Sequence, residues 1–476
     1  MPRTGDRSRH RDDNVAVTGS HGGCSPNTTN NQNSTAAGST GRRRENRVYR
    51  HSVRKAALAA AVVFVAGAAG TPALATEGYF QHGYSALQKA EGGAGVAAPE
   101  DPKTLAINPA GLVSVGDEVE VGISLFSPHR QYSVSPGPGF VAPGSVKSDW
   151  NYFAMPNVAY SHQIDDHSAW GLAMYGNGGM NTNYPVSAAD NPNCAFMGGG
   201  NGVYCGGKAG VNLTQVFLTA GYAYRSGNLA LGIAPVFALQ LFDAKGLGAF
   251  SGLSSAPGDL TSGKIDTSAG GGVRLGAIWS VTPGFRLAVA GATPTWMSKF
   301  SKYKGLFADG GGVDIPANVT VGAAFDATPD LTLMLDYKHI FYSDVASIGD
   351  SSAVPKPFGA NGGPGFGWSD VDVIALGARW QVAPAWTLRA GYAHNTNPVR
   401  PADVTLNILA PGVITDHITG GASVRVSDSS SFDLSGSYMP THSVSGPEVT
   451  PAGPTGRTIT LSMYEYDISL EWRYRL

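Results

Sequence analysis

The stretch from Tyr464 to Leu476 constrains the fold more than any other. Its even positions read Tyr464, Tyr466, Ile468, Leu470, Trp472, Tyr474 and Leu476; its odd positions read Glu465, Asp467, Ser469, Glu471, Arg473 and Arg475. Alternation with a period of two makes a β-strand with one apolar and one charged face. A soluble sandwich would bury the apolar face against a second sheet. A membrane barrel would put that face in lipid and turn the charges into its lumen. The strand alone does not choose between them.

The spacing of the other strands does. Strand-like runs fall near 117–127, 151–164, 168–176, 211–224, 228–242, 264–281, 285–297, 313–327, 330–343, 367–382, 386–396, 413–427, 431–442 and 457–475. Every second connection is tight: Asp165-Asp166-His167, Arg225-Ser226-Gly227, Thr282-Pro283-Gly284, Thr328-Pro329-Asp330, Ala383-Pro384-Ala385 and Ser427-Asp428-Ser429. The intervening connections are long and rich in Gly and Pro. Short turns alternating with long loops are the periplasmic and extracellular sides of an outer-membrane barrel, and a sandwich has no reason to keep that rhythm. The even count puts both termini on the periplasmic side. The alternation recurs in Leu331, Leu333, Leu335, Tyr337 and Phe341, set against Asp336 and Lys338, and in Ile374, Leu376, Ala378 and Trp380, set against Arg379 and Gln381. Trp279, Trp296, Trp380, Trp386 and Trp472 lie towards strand ends, where interfacial girdles form. The expected fold is all-β: a transmembrane antiparallel barrel of about fourteen strands over 117–476, closed because lipid offers its backbone no hydrogen bonds.

Composition agrees. Charged residues make up 14% of the chain, Gly contributes 64 residues, and no segment after the first 75 approaches an apolar spanning helix. A net charge of −2 gives no reason to expect a nucleic-acid partner. Cys24 is expected to leave with the export segment. Cys194 and Cys205 share one Gly-rich loop of an exported protein, so a local disulfide is expected there, closing a loop worth roughly 2–3 kcal/mol. That loop has too few ligands for zinc, and no metal or cofactor is expected.

Residues 1–50 are polar, with Arg42-Arg43-Arg44 near their end, and read as a disordered extension. Residues 51–75 follow the pattern of an export signal. Arg54 and Lys55 lead an apolar run from Ala56 to Ala69, and Ala73-Leu74-Ala75 offers a cleavage site that would start the mature chain at Thr76. Residues 76–116 carry no long helix or strand pattern. Gly92, Gly93 and Gly95 loosen them, and Asn108-Pro109-Ala110-Gly111 is turn chemistry. Placed before a barrel, such a segment reads as a plug within it.

The plug carries a resemblance. Gly78-Tyr79-Phe80, Ser85-Ala86-Leu87, Gly92-Gly93-Ala94-Gly95-Val96-Ala97 and Asn108-Pro109-Ala110-Gly111-Leu112 resemble the FadL family of Gram-negative outer-membrane transporters for long-chain fatty acids and aromatic hydrocarbons. Trp386-Thr387-Leu388-Arg389-Ala390-Gly391-Tyr392 and Phe432-Asp433-Leu434-Ser435-Gly436-Ser437-Tyr438-Met439 continue it, so the resemblance spans the mature chain. It implies a fourteen-stranded barrel with an N-terminal hatch and passive transport. Ligand would collect among extracellular loops, pass to an interior pocket, and leave when the hatch moves, in family members through a side opening. It also implies that Gly78, Tyr79 and Phe80 reach the pocket and that Asn108, Pro109 and Ala110 anchor the hatch. Glu77 departs from the pattern by putting a carboxylate near that pocket, which favours a neutral hydrocarbon over a fatty-acid head group. Leu476 departs by ending the chain on an aliphatic residue, although Trp472 and Tyr474 keep the pattern read by the barrel-assembly machinery.

Other candidates come from the loops and the lumen. Phe242, Leu247, Phe250 and Leu253 in one loop, with Phe300, Tyr303, Leu306 and Phe307 in the next, would line an apolar capture groove; alternatively they fill the loops' own core. Arg274, Lys338 and Arg389 fall on polar strand faces and are candidate partners for an acidic head group, unless they pair with luminal acids such as Asp336 or Glu471. His339 falls on an outward face, and His394 and His417 lie near loop ends with no partner evident from sequence. No Gly-x-Ser-x-Gly, His-Glu-x-x-His or calcium-loop pattern occurs, so an enzyme is not expected. The remaining alternative is a general porin, which would lack the hatch. The expected partners are a hydrophobic ligand, outer-membrane lipid and lipopolysaccharide around a monomer, with fatty acid and hydrocarbon cargo left open.

Overall fold

The computed structural model describes residues 77–197, 199–450 and 453–476. The expected extension, the export signal, Thr76 and Cys24 lie outside them. Alternating side chains and tight turns generate one antiparallel sheet. Its strands are β1 (Glu118–Val134), β2 (Gly144–Lys147), β3 (Phe153–Gln163), β4 (Ser168–Asn181), β5 (Gly210–Ser226), β6 (Leu229–Lys245), β7 (Asp266–Thr282) and β8 (Phe285–Ala292). They continue as β9 (Trp296–Met297), β10 (Asn318–Thr328), β11 (Leu331–Ile340), β12 (Val371–Ala383), β13 (Trp386–Asn395), β14 (Asp416–Arg425), β15 (Ser430–Thr450) and β16 (Gly453–Arg475). β2 and β9 are short ribbons at the long-loop end. The other fourteen form the wall, which closes where β1 pairs with β16 from Glu118↔Arg475 to Val134↔Ile459.

The faces divide as the alternation requires. Ile123, Leu125, Leu335, Ile374, Leu376, Ile468 and Leu470 are exposed on the outside. Glu465, Asp467, Ser469 and Glu471 are buried in the lumen. Trp279, Trp380 and Trp386 stand exposed near the short-turn end and Trp296 near the other. An outward apolar band bounded by tryptophans is the surface a bilayer requires. The last connection differs from expectation. Where a loop was expected over 443–456, β15 and β16 continue as a long hairpin, because Ser443 pairs with Ser462 and Ser445 with Thr460 in register above the apolar band.

The hatch runs inside the barrel and joins β1 at the short-turn end. In keeping with the absence of any long helix or strand pattern, its one α-helix among the described residues is the short Ala86–Ala90, capped by Ser85, whose hydroxyl accepts from Gln88 N. Two 3₁₀ turns follow, at Pro102–Ala106 and Pro109–Ser114. Asn108 Oδ1 caps the second by accepting from Ala110 N at 3.1 Å, and its Nδ2 donates to Val96 O at 2.9 Å and to Ala277 O of the wall at 3.3 Å. The wall is shaved to glycine beneath this turn: a Cβ on Gly232 would stand 2.2 Å from Ala110 N, and one on Gly276 would stand 2.0 Å from Asn108 Oδ1. Asn108-Pro109-Ala110 thus lies backbone-to-backbone against the wall.

Gly276→Ala should therefore loosen the hatch and leave the barrel closed. The overpacking penalty is about 1–3 kcal/mol, expected as trypsin cleavage at the otherwise buried Lys103 with unheated gel mobility unchanged. A hatch as resistant as the wild type's would contradict this anchoring.

Candidate functional site

The lower hatch is clamped to the wall by charge. Glu91 receives Arg379 Nε and Arg389 Nε, each at 3.0 Å, and Glu100 receives the same two arginines at 2.9 and 2.6 Å. Lys89 Nζ lies 2.9 Å from Asp467 and 2.8 Å from Ser124 Oγ. Lys103 Nζ lies 2.9 Å from Glu120, donates to Asn157 Oδ1 at 2.6 Å, and pairs with Glu471. Asp336 Oδ2 accepts the amides of Gly95 and Val96 at 2.8 and 2.9 Å. Of the candidate head-group cations, Lys338 and Arg389 thus pair with hatch acids and not with wall acids, while the wall acids Asp336 and Glu471 hold the hatch. Sequence periodicity finds the strand face of a residue; it carries no information on which plug residue will face it.

The hatch tip is held differently. Glu77 is 1% exposed, and Lys338 Nζ, at 2.7 Å, is its ion-pair partner among the described residues. Burial pushes the Glu77 carboxyl upward from its ordinary range, and the Lys338 charge opposes that shift. Tyr342 Oη donates to Glu77 O at 2.7 Å and accepts from Tyr79 N at 3.0 Å. The Tyr79 ring sits 5.0 Å from Tyr342, 5.9 Å from Trp368 and 5.4 Å from Phe80, a box of aromatic faces and edges. Trp368 is fixed by Nε1 donating to Asn407 Oδ1 at 2.7 Å. Gly78 adopts φ +72°, and a Cβ there would meet the Tyr342 ring at 2.7 Å, so only glycine lets the tip lie this close.

The tip also covers a fault in the wall. β4 pairs with β3 only as far as Met174↔Val158, although β4 itself continues to Asn181, and it bulges between Gly176 and Gly178. The unpaired edge is met from inside. Gln81 N donates to Asn177 O at 3.2 Å, Gly179 N donates to Tyr79 O at 3.1 Å, and Gln81 Nε2 donates to Gly176 O at 2.6 Å. Arg130 Nη1 donates to Asn181 O and its Nη2 to Trp150 O across the same gap. Sequence reasoning missed Trp368, Tyr342 and Arg130. The first two fall inside the expected strands 330–343 and 367–382, whereas β11 ends at Ile340 and β12 begins at Val371, and Arg130 lies beyond the expected end of the first strand at 127.

The loop candidates separate into two groups. Phe242 packs against Phe300, Tyr303 and Phe307 at 5.6, 4.8 and 4.7 Å, with Leu247 buried and Leu306 packed at the edge, so these residues fill the loop core. Phe250 and Leu253 instead line a groove of about 550 Å³ with Val354, Phe358, Leu406 and Val449, segments that share no sequence pattern. Cys194 and Cys205 are joined in a disulfide in the loop after β4. Arg274 Nη1 donates to Ile107 O at 3.4 Å and to Asn318 Oδ1 at 3.5 Å, beside the hatch anchor. His394 and His417 do have partners: His394 Nδ1 lies 3.0 Å from Asp416, and His417 Nε2 lies 2.8 Å from Asn395 Oδ1. Both partners stand on neighbouring strands, out of reach of single-strand reasoning. His339 lies 2.7 Å from Asp372. Among the described residues no group of His, Cys, Asp or Glu is arranged to hold a metal ion.

A lipid-facing fourteen-stranded barrel holding its own N-terminal segment is a plugged outer-membrane β-barrel. Residues 287–465 match the family described as outer membrane protein transport protein (OMPP1/FadL/TodX), in line with the FadL-type resemblance carried by the hatch motifs. The fold matches the P. putida toluene transporter TodX at TM-score 0.61 and 18% identity, over 83% of this chain and 99% of that one. It matches a Pseudomonas aeruginosa FadL homologue at TM-score 0.63 and 16% identity, over 84% and 99%. It also matches the Ralstonia pickettii toluene transporter TbuX at TM-score 0.57 and 18% identity, over 83% and 99%. No curated protein matches the chain.

Lys338→Met should release the tip and spare the lower hatch. Stranding Glu77 as a buried unpaired charge is worth about 3–5 kcal/mol. In hydrogen exchange, the amides of Tyr79 and Gly179 should lose protection while those of Gly95 and Val96 keep theirs. Adding Glu77→Gln should restore the tip, and unchanged protection at Tyr79 in the single variant would contradict its dependence on this pair.

Proposed function

We propose that the protein carries hydrophobic small molecules passively across the outer membrane, with the hatch tip as the gate and neutral aromatic hydrocarbons as the best-fitting cargo. The observation that carries this reading is the box of Tyr342, Trp368 and Phe80 closed on Tyr79: the chain stores one of its own aromatic rings where a ligand ring would sit. Withdrawal of Gly78, Tyr79 and Phe80 would vacate that space and uncover the unpaired edge of β4. The tip therefore serves as a competitive occupant and as the seal of a side path.

Charge supports neutral cargo over a fatty-acid anion. Lys338 is neutralised by Glu77, and Arg389 by Glu91 and Glu100. Arg274 is turned towards the anchor. A head group binding any of these would first have to break the hatch's own contacts. Capture would begin in the groove with Phe250 and Leu253, while Phe242, Leu247, Phe300, Leu306 and Phe307 stiffen the loops beneath. We place the short-turn end, with both termini, in the periplasm and the groove outside, in a monomer surrounded by lipid and lipopolysaccharide and inserted by the barrel-assembly machinery. The chemistry is diffusion through a dry path that water-filled porins do not offer, and no catalytic group is assigned.

Calorimetry on the purified mature chain tests this. Ethylbenzene should bind saturably in the micromolar range, and deletion of residues 77–80 should change its affinity at least fivefold. Oleate should bind more weakly. No saturable binding of either, together with steady ion-conducting channels in planar bilayers, would make the protein an ordinary porin and overturn the proposal.

A further inference from the structure

Beside the hatch tip lies a polar pair that the transport reading does not use. Arg130 is 3% exposed and Glu465 is fully buried, both on luminal faces of the strands that close the barrel. Both Arg130 Nη groups are engaged by backbone carbonyls, but its Nε–H has no protein partner, and neither has either carboxylate oxygen of Glu465. The two side chains are not within ion-pairing distance of each other. Arg130 and Met463, which are register partners, line a cavity of about 20 Å³ with Gly78 of the tip and Trp368 of the aromatic box. Glu465 follows Met463 on the same luminal face.

An orphaned donor and an orphaned acceptor, both deeply buried, are costly to keep, and a folded chain retains such groups where something other than the chain partners them. The partner's chemistry is constrained from both sides. A carboxylate would satisfy Arg130 but could face Glu465 only if that carboxyl carried its proton. An ammonium would satisfy Glu465 but be repelled by Arg130. A plain hydrocarbon would satisfy neither. A hydroxyl accepts from Arg130 Nε–H and donates to Glu465.

We propose that Arg130 and Glu465 form a head-group site for the hydroxyl of a neutral, hydroxyl-bearing hydrophobe such as an alkylphenol, with the ring in the aromatic box vacated by Tyr79. The site rests on the transport reading above, since it becomes large enough for a ligand only when Gly78 and Tyr79 withdraw. It adds selectivity between cargoes of equal size, because a site built to hydrogen-bond a hydroxyl rejects the analogue that lacks one far more strongly than an apolar pocket rejects a lost methylene.

The test compares 4-ethylphenol, ethylbenzene and 4-ethylbenzoate by calorimetry on the purified full chain, with folding of each variant checked by heat-modifiable gel mobility. The wild type should prefer 4-ethylphenol to ethylbenzene about tenfold and should bind 4-ethylbenzoate most weakly. Glu465→Met should reduce the preference to within twofold by weakening ethylphenol alone, and Glu465→Gln, which keeps an acceptor, should retain most of it. Equal affinities for ethylphenol and ethylbenzene in the wild type, or a preference untouched by Glu465→Met, would mean that the pair is bridged by water in every state, and would overturn the proposal while leaving the transport reading intact. Failure of both neutral ligands to bind would overturn the two together.

Discussion

In lipid a backbone amide has no solvent to fall back on, so the sheet must close on itself, and the pairing of β1 with β16 is the condition for the rest of the molecule. Closure fixes the alternation of faces, because each strand then has one side in lipid and one in the lumen. It also creates an enclosed lumen lined with charge: Glu118, Glu120, Asp336, Arg389, Asp433, Glu465, Asp467 and Glu471 all point inward. Left to itself, that lining would be an aqueous pore. The hatch fills it by supplying the complementary charges.

The distribution of those charges divides the hatch into two parts. From Ala86 to Ser114 it is tied down by paired carboxylates and guanidiniums, by two buried lysines and by a turn laid on glycine. From Glu77 to Gln81 it is tied by one ion pair among the described residues, one tyrosine hydroxyl and a few backbone hydrogen bonds to a bulged strand edge. Buried ion pairs add little net stability against apolar packing, but they resist the loss of either partner and so fix register. A firmly registered base with a lightly held tip suits the proposed gate, whose moving part would be about five residues long. On the proposed reading the aromatic box makes the tip sensitive to aromatic cargo, since ligand and Tyr79 would compete for one space.

Much of this was legible in the sequence, and the parts that were not share a physical cause. Strand positions, the fourteen-strand count and the faces of β11, β12 and β16 follow from period-two alternation and turn chemistry, which are local. The turn at Asn108, Pro109 and Ala110 was singled out by motif resemblance, and the wall glycines opposite let its backbone lie against the wall. The pairing of Lys338 with Glu77 instead of Asp336 was not legible, because it joins residues far apart through a fold not yet known. The loop groove was only half found, since Val354, Phe358 and Leu406 come from two further connections without periodicity and Val449 from the extended end of β15, where a loop was expected. Arg130 was hidden by a strand that runs past its apparent end.

The central claim is that nothing passes until the tip leaves β4. The isolated antiparallel bridge between Phe80 and Gly178 brings two backbones to the separation a disulfide needs, so Phe80→Cys with Gly178→Cys can fasten the tip to the wall. Entry of ethylbenzene into liposomes carrying this double variant, compared with the wild type under oxidising and reducing conditions, is the direct measurement. The account predicts that the oxidised variant falls to the rate of protein-free liposomes and recovers on reduction, while the wild type is insensitive to the reductant. Wild-type rates with the tip demonstrably cross-linked would mean that cargo takes another route and that the hatch tip is not the gate.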